Sequence, residues 1–167
     1  MVKNANTTIG NFYNYFSSKE DVFAVLVDDL YQKLIYFVNN HNVEDENPFI
    51  IDELDYIQVR HLISGTLNNI ADDFLIKTIL LLECSKGTKY ESTKNILADY
   101  INLHFLDHKD QINPEYQPKE IGIVLSKGFT DGAISILKSE FDKDKKIDLM
   151  TEYFLFFAYG TLKILKK

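Results

Sequence analysis

Apolar residues recur at three- and four-residue spacing along most of the chain, and this pattern predicts helices. Between Asp21 and Asn40 they form one helical stripe: Val22, Phe23, Leu26, Leu30, Leu34, Phe37 and Val38. The same spacing continues in later segments: 51–70 (one long helix or two short ones), 72–87, 91–108, 118–141 and 147–165. The 167 residues include 7 glycines and 3 prolines, which is too few for an all-β chain full of tight turns. The sequence therefore predicts an all-α protein.

Composition narrows the class of protein further. Hydrophobic residues make up 46% and charged residues 26%, as in an ordinary folded domain. The formal net charge of -7 argues against non-specific coating of nucleic acid or anionic membrane. The sequence shows neither a secretory signal nor an apolar stretch of the roughly 18 residues that a membrane span needs. Cys84 is the single cysteine; we expect it to be small and buried, in a reducing cytoplasm.

The most informative motif is the segment TTIGNFYNYFSSKEDVF, residues 7–23. It resembles the recognition helix and following turn of the TetR (tetracycline-repressor-like) transcriptional regulators, whose typical string is close to S-x-G-T-F-Y-x-Y-F-x-S-K-E-x-L. The matching positions are Gly10, Phe12, Tyr13, Tyr15, Phe16, Ser18, Lys19 and Glu20. Asn11 departs from the usual threonine, which could alter base preference.

The resemblance implies that this segment enters the major groove of operator DNA. The expected contacts with bases and phosphates come from Thr8, Asn11, Tyr13, Asn14, Tyr15 and Lys19. Residues 1–19 contain two lysines, Lys3 and Lys19, and no acid, so this end is positive in an acidic chain. The competing interpretation is an aromatic packing cluster on an amphipathic turn.

The same resemblance divides the chain into two parts. Residues 1–40 are predicted to form the remnant of a helix-turn-helix head plus its connecting helix. Residues 41–167 are predicted to form a helical effector-binding and dimerisation domain. Only Met1 to Asn6 precede the motif, so we expect either a longer natural protein or a shortened regulator, and favour the former. Because a helix of about seven residues has little stability by itself, we expect the 167-residue form to bind operator DNA weakly or not at all in a gel shift.

Several side chains are candidates for an effector pocket between the middle helices, as in the family. They are Tyr31, Phe37, Arg60, His61, Tyr100, His104 and Phe129. Ordinary core packing explains the aromatic ones equally well, and a structural ion pair is the favoured interpretation of Arg60. His104 and His108 have metal-ligand spacing, but no further ligand is evident and a helix C-terminus also favours histidine. We predict no metal, no cofactor and no catalytic site, since no phosphate loop or nucleophile motif is present.

The last predicted helix is apolar around most of its circumference, so most of its sides must be covered. This predicts a homodimer in which the last two helices of each subunit form a four-helix interface. Its candidate members are Phe129, Gly132, Ile136, Leu155, Tyr159 and Leu162. The resemblance implies a cytoplasmic, bacterial, ligand-responsive repressor that binds double-stranded operator DNA and a small-molecule effector, without membrane contact. The alternative is a headless helical dimer that binds a ligand or a protein but no DNA.

Overall fold

The computed structural model describes residues 15–40, 55–69, 72–107 and 119–165. Six helices lie in these ranges, and no strand occurs within them. The helices are α1 (Lys19–Asn40), α2 (Tyr56–Asn69), α3 (Asp72–Glu83), α4 (Thr93–Asp107), α5 (Lys119–Lys138) and α6 (Lys143–Leu165). The all-α prediction is confirmed.

Short polar side chains fix the beginnings of α2 and α6. The carboxylate of Asp55 accepts a hydrogen bond from the Gln58 amide at 2.8 Å, at the start of α2. Asp142 does the same for the Lys145 amide at 2.8 Å. Each caps a backbone N–H that has no partner inside its helix. The Asp142 cap explains one difference from the sequence prediction, because α6 begins within the charged stretch 142–146 rather than after it.

The helices pack in a connected series. α1 lies on α3, α4 packs along α5, and α6 contacts both α5 and α2. The core beneath α1 consists of Phe23, Val27, Leu81 and Tyr90. This core joins α1 to α3 and to the turn that precedes α4. We call α2 to α6 the body of the protein; α1, which follows the N-terminal motif, therefore shares the hydrophobic packing of the body.

Small residues line the contact between α4 and α5. Ala98 of α4 and Ser126 of α5 are both buried. The Ser126 hydroxyl donates to the Ile123 carbonyl of its own helix, so its burial leaves no unpaired donor. Gly122 lies against the side-chain amide of Asn102, where any side chain on residue 122 would collide with it. The two helices can therefore approach closely.

Cys84 corrects one expectation. Its side chain is exposed because α3 ends at Glu83 and Cys84 begins the following turn. In the described ranges, no helix combines the length and apolarity required to cross a membrane.

Candidate functional site

The motif enters the described part of the structure at Tyr15, and its last residues form the cap of α1. The Asp21 amide donates to the Ser18 hydroxyl at 3.1 Å. In return, the Asp21 carboxylate accepts from the amides of Ser17 and Ser18 at 2.9 and 3.1 Å, and from the Ser17 hydroxyl at 2.5 Å. This reciprocal arrangement is a capping box. It fixes the backbone of residues 17 and 18 against the first turn of α1.

The Ser17 hydroxyl and amide, together with Ser18, hold the pKa of Asp21 below its usual range. Because the folded pKa is the lower one, the stabilisation is present above the unfolded pKa of about 3.9 and is lost as the pH falls through the folded pKa. We expect Asp21→Asn to lower the urea midpoint most at about pH 5 to 7, with a difference from wild type that shrinks below about pH 4. Asp99→Asn, at an exposed position of α4, is the control. A difference for Asp21→Asn that stays constant with pH would contradict the capping role of the carboxylate.

Two of the six predicted DNA-contacting residues lie in the described part, and they differ in environment. Tyr15 is 83% exposed. Lys19 extends its ammonium group to the Lys86 carbonyl at 2.5 Å and lies 5.4 Å from the centre of the Phe23 ring. Thr8, Asn11, Tyr13 and Asn14 lie outside the described residues. The structure thus places a tyrosine side chain in solvent and a lysine on the body of the protein.

A second connection holds α1 to the body in its middle. Tyr90 is fully buried, and its hydroxyl donates to the Asp28 carboxylate at 2.7 Å. The ammonium of Lys89 lies 3.3 Å from the same carboxylate. The Tyr90 hydroxyl and then Lys89 keep the pKa of Asp28 low, while burial and the adjacent carboxylate raise the pKa of Tyr90. The tyrosine therefore remains the donor and the aspartate the acceptor.

The turn between α3 and α4 is built to present Tyr90. Gly87 adopts φ 78°, a left-handed conformation that glycine tolerates best, and its amide donates to Glu91 at 3.0 Å. The Tyr90 carbonyl accepts from the Thr93 hydroxyl at 2.6 Å. No motif or spacing in the sequence pointed to Asp28, Lys89 or Tyr90. The available signal was a bulky aromatic residue inside a short polar segment, which is stable there only if the body covers it.

The predicted effector residues fall into three separate places. Tyr31 meets Tyr90 edge to face at 5.1 Å, and Phe37 meets Tyr100 at 5.5 Å. These contacts join α1 to the segment 90–100. The side chain of His104, and the whole of His108, lie outside what the structure describes. Of the predicted pocket residues, the structure therefore brings Tyr31, Phe37 and Tyr100 to the contact between α1 and the segment 90–100.

Arg60 and His61 lie elsewhere, on α2. The Arg60 guanidinium donates to the Asp148 carboxylate of α6 at 2.7 Å, which raises the pKa of Arg60 and lowers that of Asp148. His61 is exposed. The structural ion pair predicted for Arg60 is the arrangement observed. With both partners more than one-third exposed, the pair adds little to stability.

Phe129 occupies the third place, in an aromatic cluster between α5 and α6. Its ring stacks on Tyr153 at 5.6 Å and meets Phe157 edge to face at 5.4 Å. The Tyr153 hydroxyl donates to the Gly128 carbonyl at 2.6 Å, and burial raises the pKa of this tyrosine. Phe129 therefore packs within the subunit, away from the α1–α4 contact.

The residues predicted to form the dimer interface also differ in their surroundings. Gly132 lies against the Tyr153 ring of the same chain, in a space too small for a side chain, so the close approach it allows is between α5 and α6 of one subunit. Ile136 and Leu155 are half-buried. Tyr159 is 45% exposed, and the side chain of Leu162 lies outside the described residues.

Within the described residues, no three His, Cys, Asp or Glu side chains are grouped to hold a metal ion. No protein-family model, curated protein or solved structure matches the chain. We therefore infer function from the motif, from the contacts of α1 and from the surfaces of the remaining helices.

Proposed function

We propose that the chain is a cytoplasmic, ligand-responsive transcriptional repressor of TetR-like design, which binds operator DNA as a homodimer. One observation carries the proposal. The motif ends in the capping box of α1, and α1 is attached to the helical body at Lys19 and again at Asp28. A DNA-reading segment mounted in this way follows any movement of α1 relative to the body.

The described end of the motif supports a contact with DNA. The exposed Tyr15 can present its hydroxyl to the phosphate backbone. An ammonium group has three N–H donors, and the Lys86 carbonyl accepts one donor of Lys19. Two donors of Lys19 can therefore serve a phosphate while the third keeps the side chain in place.

The aromatic contacts of α1 suggest how an effector acts. Two ring contacts, Tyr31 with Tyr90 and Phe37 with Tyr100, join α1 to α4 and to the turn before it. A small apolar or aromatic effector that binds between these rings stabilises a different position of α1. In a dimer, that shift changes the separation of the two motifs, which must match successive major grooves of about 34 Å spacing.

The test is selection of binding sites from random duplex DNA with the protein expressed from its complete reading frame. We expect an inverted repeat whose half-sites lie about one helical turn apart. Tyr15→Ala and Lys19→Ala should weaken binding to the selected duplex, whereas the control Tyr36→Ala, on an exposed part of α1, should not. Failure to enrich any duplex at about 50 mM salt, where phosphate contacts are strongest, would overturn the proposal.

One observation favours a second candidate, a helical dimer that binds a ligand or a protein but no DNA. Both contacts of the Lys19 ammonium, with the Lys86 carbonyl and the Phe23 ring, are explained by a structural role alone. In that case, Lys19→Ala lowers the stability of the fold and no duplex is selected.

A further inference from the structure

The turn between α3 and α4 carries a local excess of positive charge. Residues 84–90 include two lysines, Lys86 and Lys89, and no acid, in a chain whose formal net charge is -7. Both lysines are exposed. We call residues 84–90 the basic turn.

Buried residues hold the basic turn in one shape. The Thr88 amide donates to the Ser85 carbonyl at 3.0 Å, which closes a four-residue turn with Lys86 at its second position. Ser85 and Thr88 are buried, as is Tyr90. The backbone of the turn is therefore anchored in the body, while Lys86 is exposed at its surface.

Other groups of the protein already engage the acids around the basic turn. The carboxylate of Glu83, which precedes the turn, pairs with one lysine of α4 and one of α5. Glu91, which follows the turn, accepts a hydrogen bond from a backbone amide of the turn at 3.0 Å. Asp28 of α1 lies 3.3 Å from the ammonium of Lys89. Within the described residues, no ion pair involves Lys86, so its charge is available to an anionic partner.

Lys86 lies directly beside the lysine that the motif contributes to DNA binding. Its carbonyl accepts from the Lys19 ammonium at 2.5 Å, and the rings of Phe23 and Tyr90 stack at 6.4 Å. These contacts fix the basic turn against the beginning of α1. Each DNA strand carries one negative charge about every 3.4 Å along the helix axis, and a lysine ammonium ends a flexible four-carbon stem. When Lys19 contacts one phosphate, Lys86 is therefore within reach of a neighbouring phosphate.

We propose that the basic turn makes a second contact with the phosphate backbone of the duplex, through Lys86, beside the contact that Lys19 makes. A lysine ammonium binds phosphate as a point charge, so this contact strengthens binding without reading the base sequence. The inference rests on the proposed function and adds a DNA contact made by the body itself. DNA that binds Lys19 and Lys86 together favours the arrangement in which α1 lies against the basic turn.

The first experiment measures the affinity for the selected duplex as a function of salt concentration. A dimer carries two copies of Lys86, so we expect Lys86→Ala to reduce the magnitude of the slope of log K against log salt by about two. Binding should weaken about tenfold at about 100 mM salt. Lys86→Arg keeps the charge and should bind like wild type. The matched control is Lys127→Ala, which removes an exposed lysine of α5 and should change neither affinity nor slope.

Thermal unfolding of the same variants separates a DNA contact from a structural role. Lys19 binds the backbone carbonyl of residue 86, so Lys86→Ala leaves that hydrogen bond in place. Because the Lys86 residue is exposed, the unfolding midpoint of Lys86→Ala should stay close to that of wild type. A clearly lower midpoint together with weaker binding would assign Lys86 to the fold and overturn the inference.

Cys84 supplies an independent measurement from within the basic turn. It is exposed and is the single cysteine of the 167 residues, so its thiol can carry an iron–EDTA group that cleaves any DNA backbone close to it. We expect cleavage beside each half-site of the selected duplex. The same group attached to Lys127→Cys, in a Cys84→Ser background, should leave the duplex intact.

The outcomes separate this inference from the proposed function. Weaker binding and a smaller salt slope for Lys86→Ala, recovery in Lys86→Arg and cleavage from Cys84 support the second contact. If wild type binds the duplex but Lys86→Ala binds equally well, or no cleavage starts from Cys84, the basic turn is not a DNA contact and the proposed repressor is unaffected. If wild type selects no duplex at all, the proposed function fails and this inference fails with it.

Discussion

Replacing Tyr90 with alanine is expected to lower the free energy of unfolding by about 3–5 kcal/mol, the usual cost of truncating a large buried aromatic residue. Tyr90 is fully buried and contacts Phe23 and Tyr31 of α1 through its ring. Its hydroxyl binds Asp28. Truncation leaves a cavity beneath α1 and removes the donor from Asp28. The effect is a large fraction of the roughly 5–15 kcal/mol that stabilises a typical domain.

Chemical denaturation of three variants separates the causes. Tyr90→Phe retains the ring and removes the hydroxyl, so a loss of about 1 kcal/mol is expected. Tyr36→Ala changes a tyrosine of α1 that is 69% exposed, and its effect should stay within about 0.5 kcal/mol. If Tyr90→Ala cost no more than Tyr36→Ala, the buried contact described for Tyr90 would be wrong.

Gly132→Ala is expected to destabilise the protein by about 2 kcal/mol, although alanine normally favours a helix over glycine by about 0.5–1 kcal/mol. An added Cβ atom would lie 2.9 Å from Cε2 of Tyr153 and still closer to the end of that ring. The ring must then move, which breaks its hydrogen bond to the Gly128 carbonyl and its stacking on Phe129. The sign of the effect is therefore opposite to the one that helix propensity alone predicts.

The matched control is Gly65→Ala on α2, where an added Cβ atom meets nothing within 4 Å. We expect this substitution to stabilise the protein slightly. In a Tyr153→Leu background the steric conflict is relieved, and Gly132→Ala should become neutral or stabilising. Equal stabilisation by Gly132→Ala and Gly65→Ala, measured by thermal and urea unfolding, would show that α5 and α6 do not pack as described.

The two predictions also differ in their consequences for regulation. Tyr90 attaches α1 to the body, so its loss is expected to uncouple the motif from effector binding. Gly132 determines how closely α5 approaches α6, and thus the shape of the pair of helices that the sequence predicts to form the dimer interface. DNA selection and sedimentation on the same variants connect stability to function.

The sequence itself determined the helices, because helix formation depends on local spacing, caps and breaks. The stripe predicted for residues 21–40 is α1, and the residues at its start form a capping box through local contacts. The ion pair predicted for Arg60 is also present. Each of these features depends on residue type and on positions nearby in the chain. The exception is the acid that pairs with Arg60, Asp148, which lies far away in the sequence.

Only the tertiary structure decided which surface each helix shows to its neighbours. The sequence predicted Gly132 as a member of the dimer interface, whereas the structure places it against the Tyr153 ring of the same chain. It also separates Phe129 from Tyr31 and Phe37, which sequence analysis grouped in one pocket. A helical period shows that one side is apolar without showing which partner covers it, because the partner is chosen by packing among residues far apart in the chain.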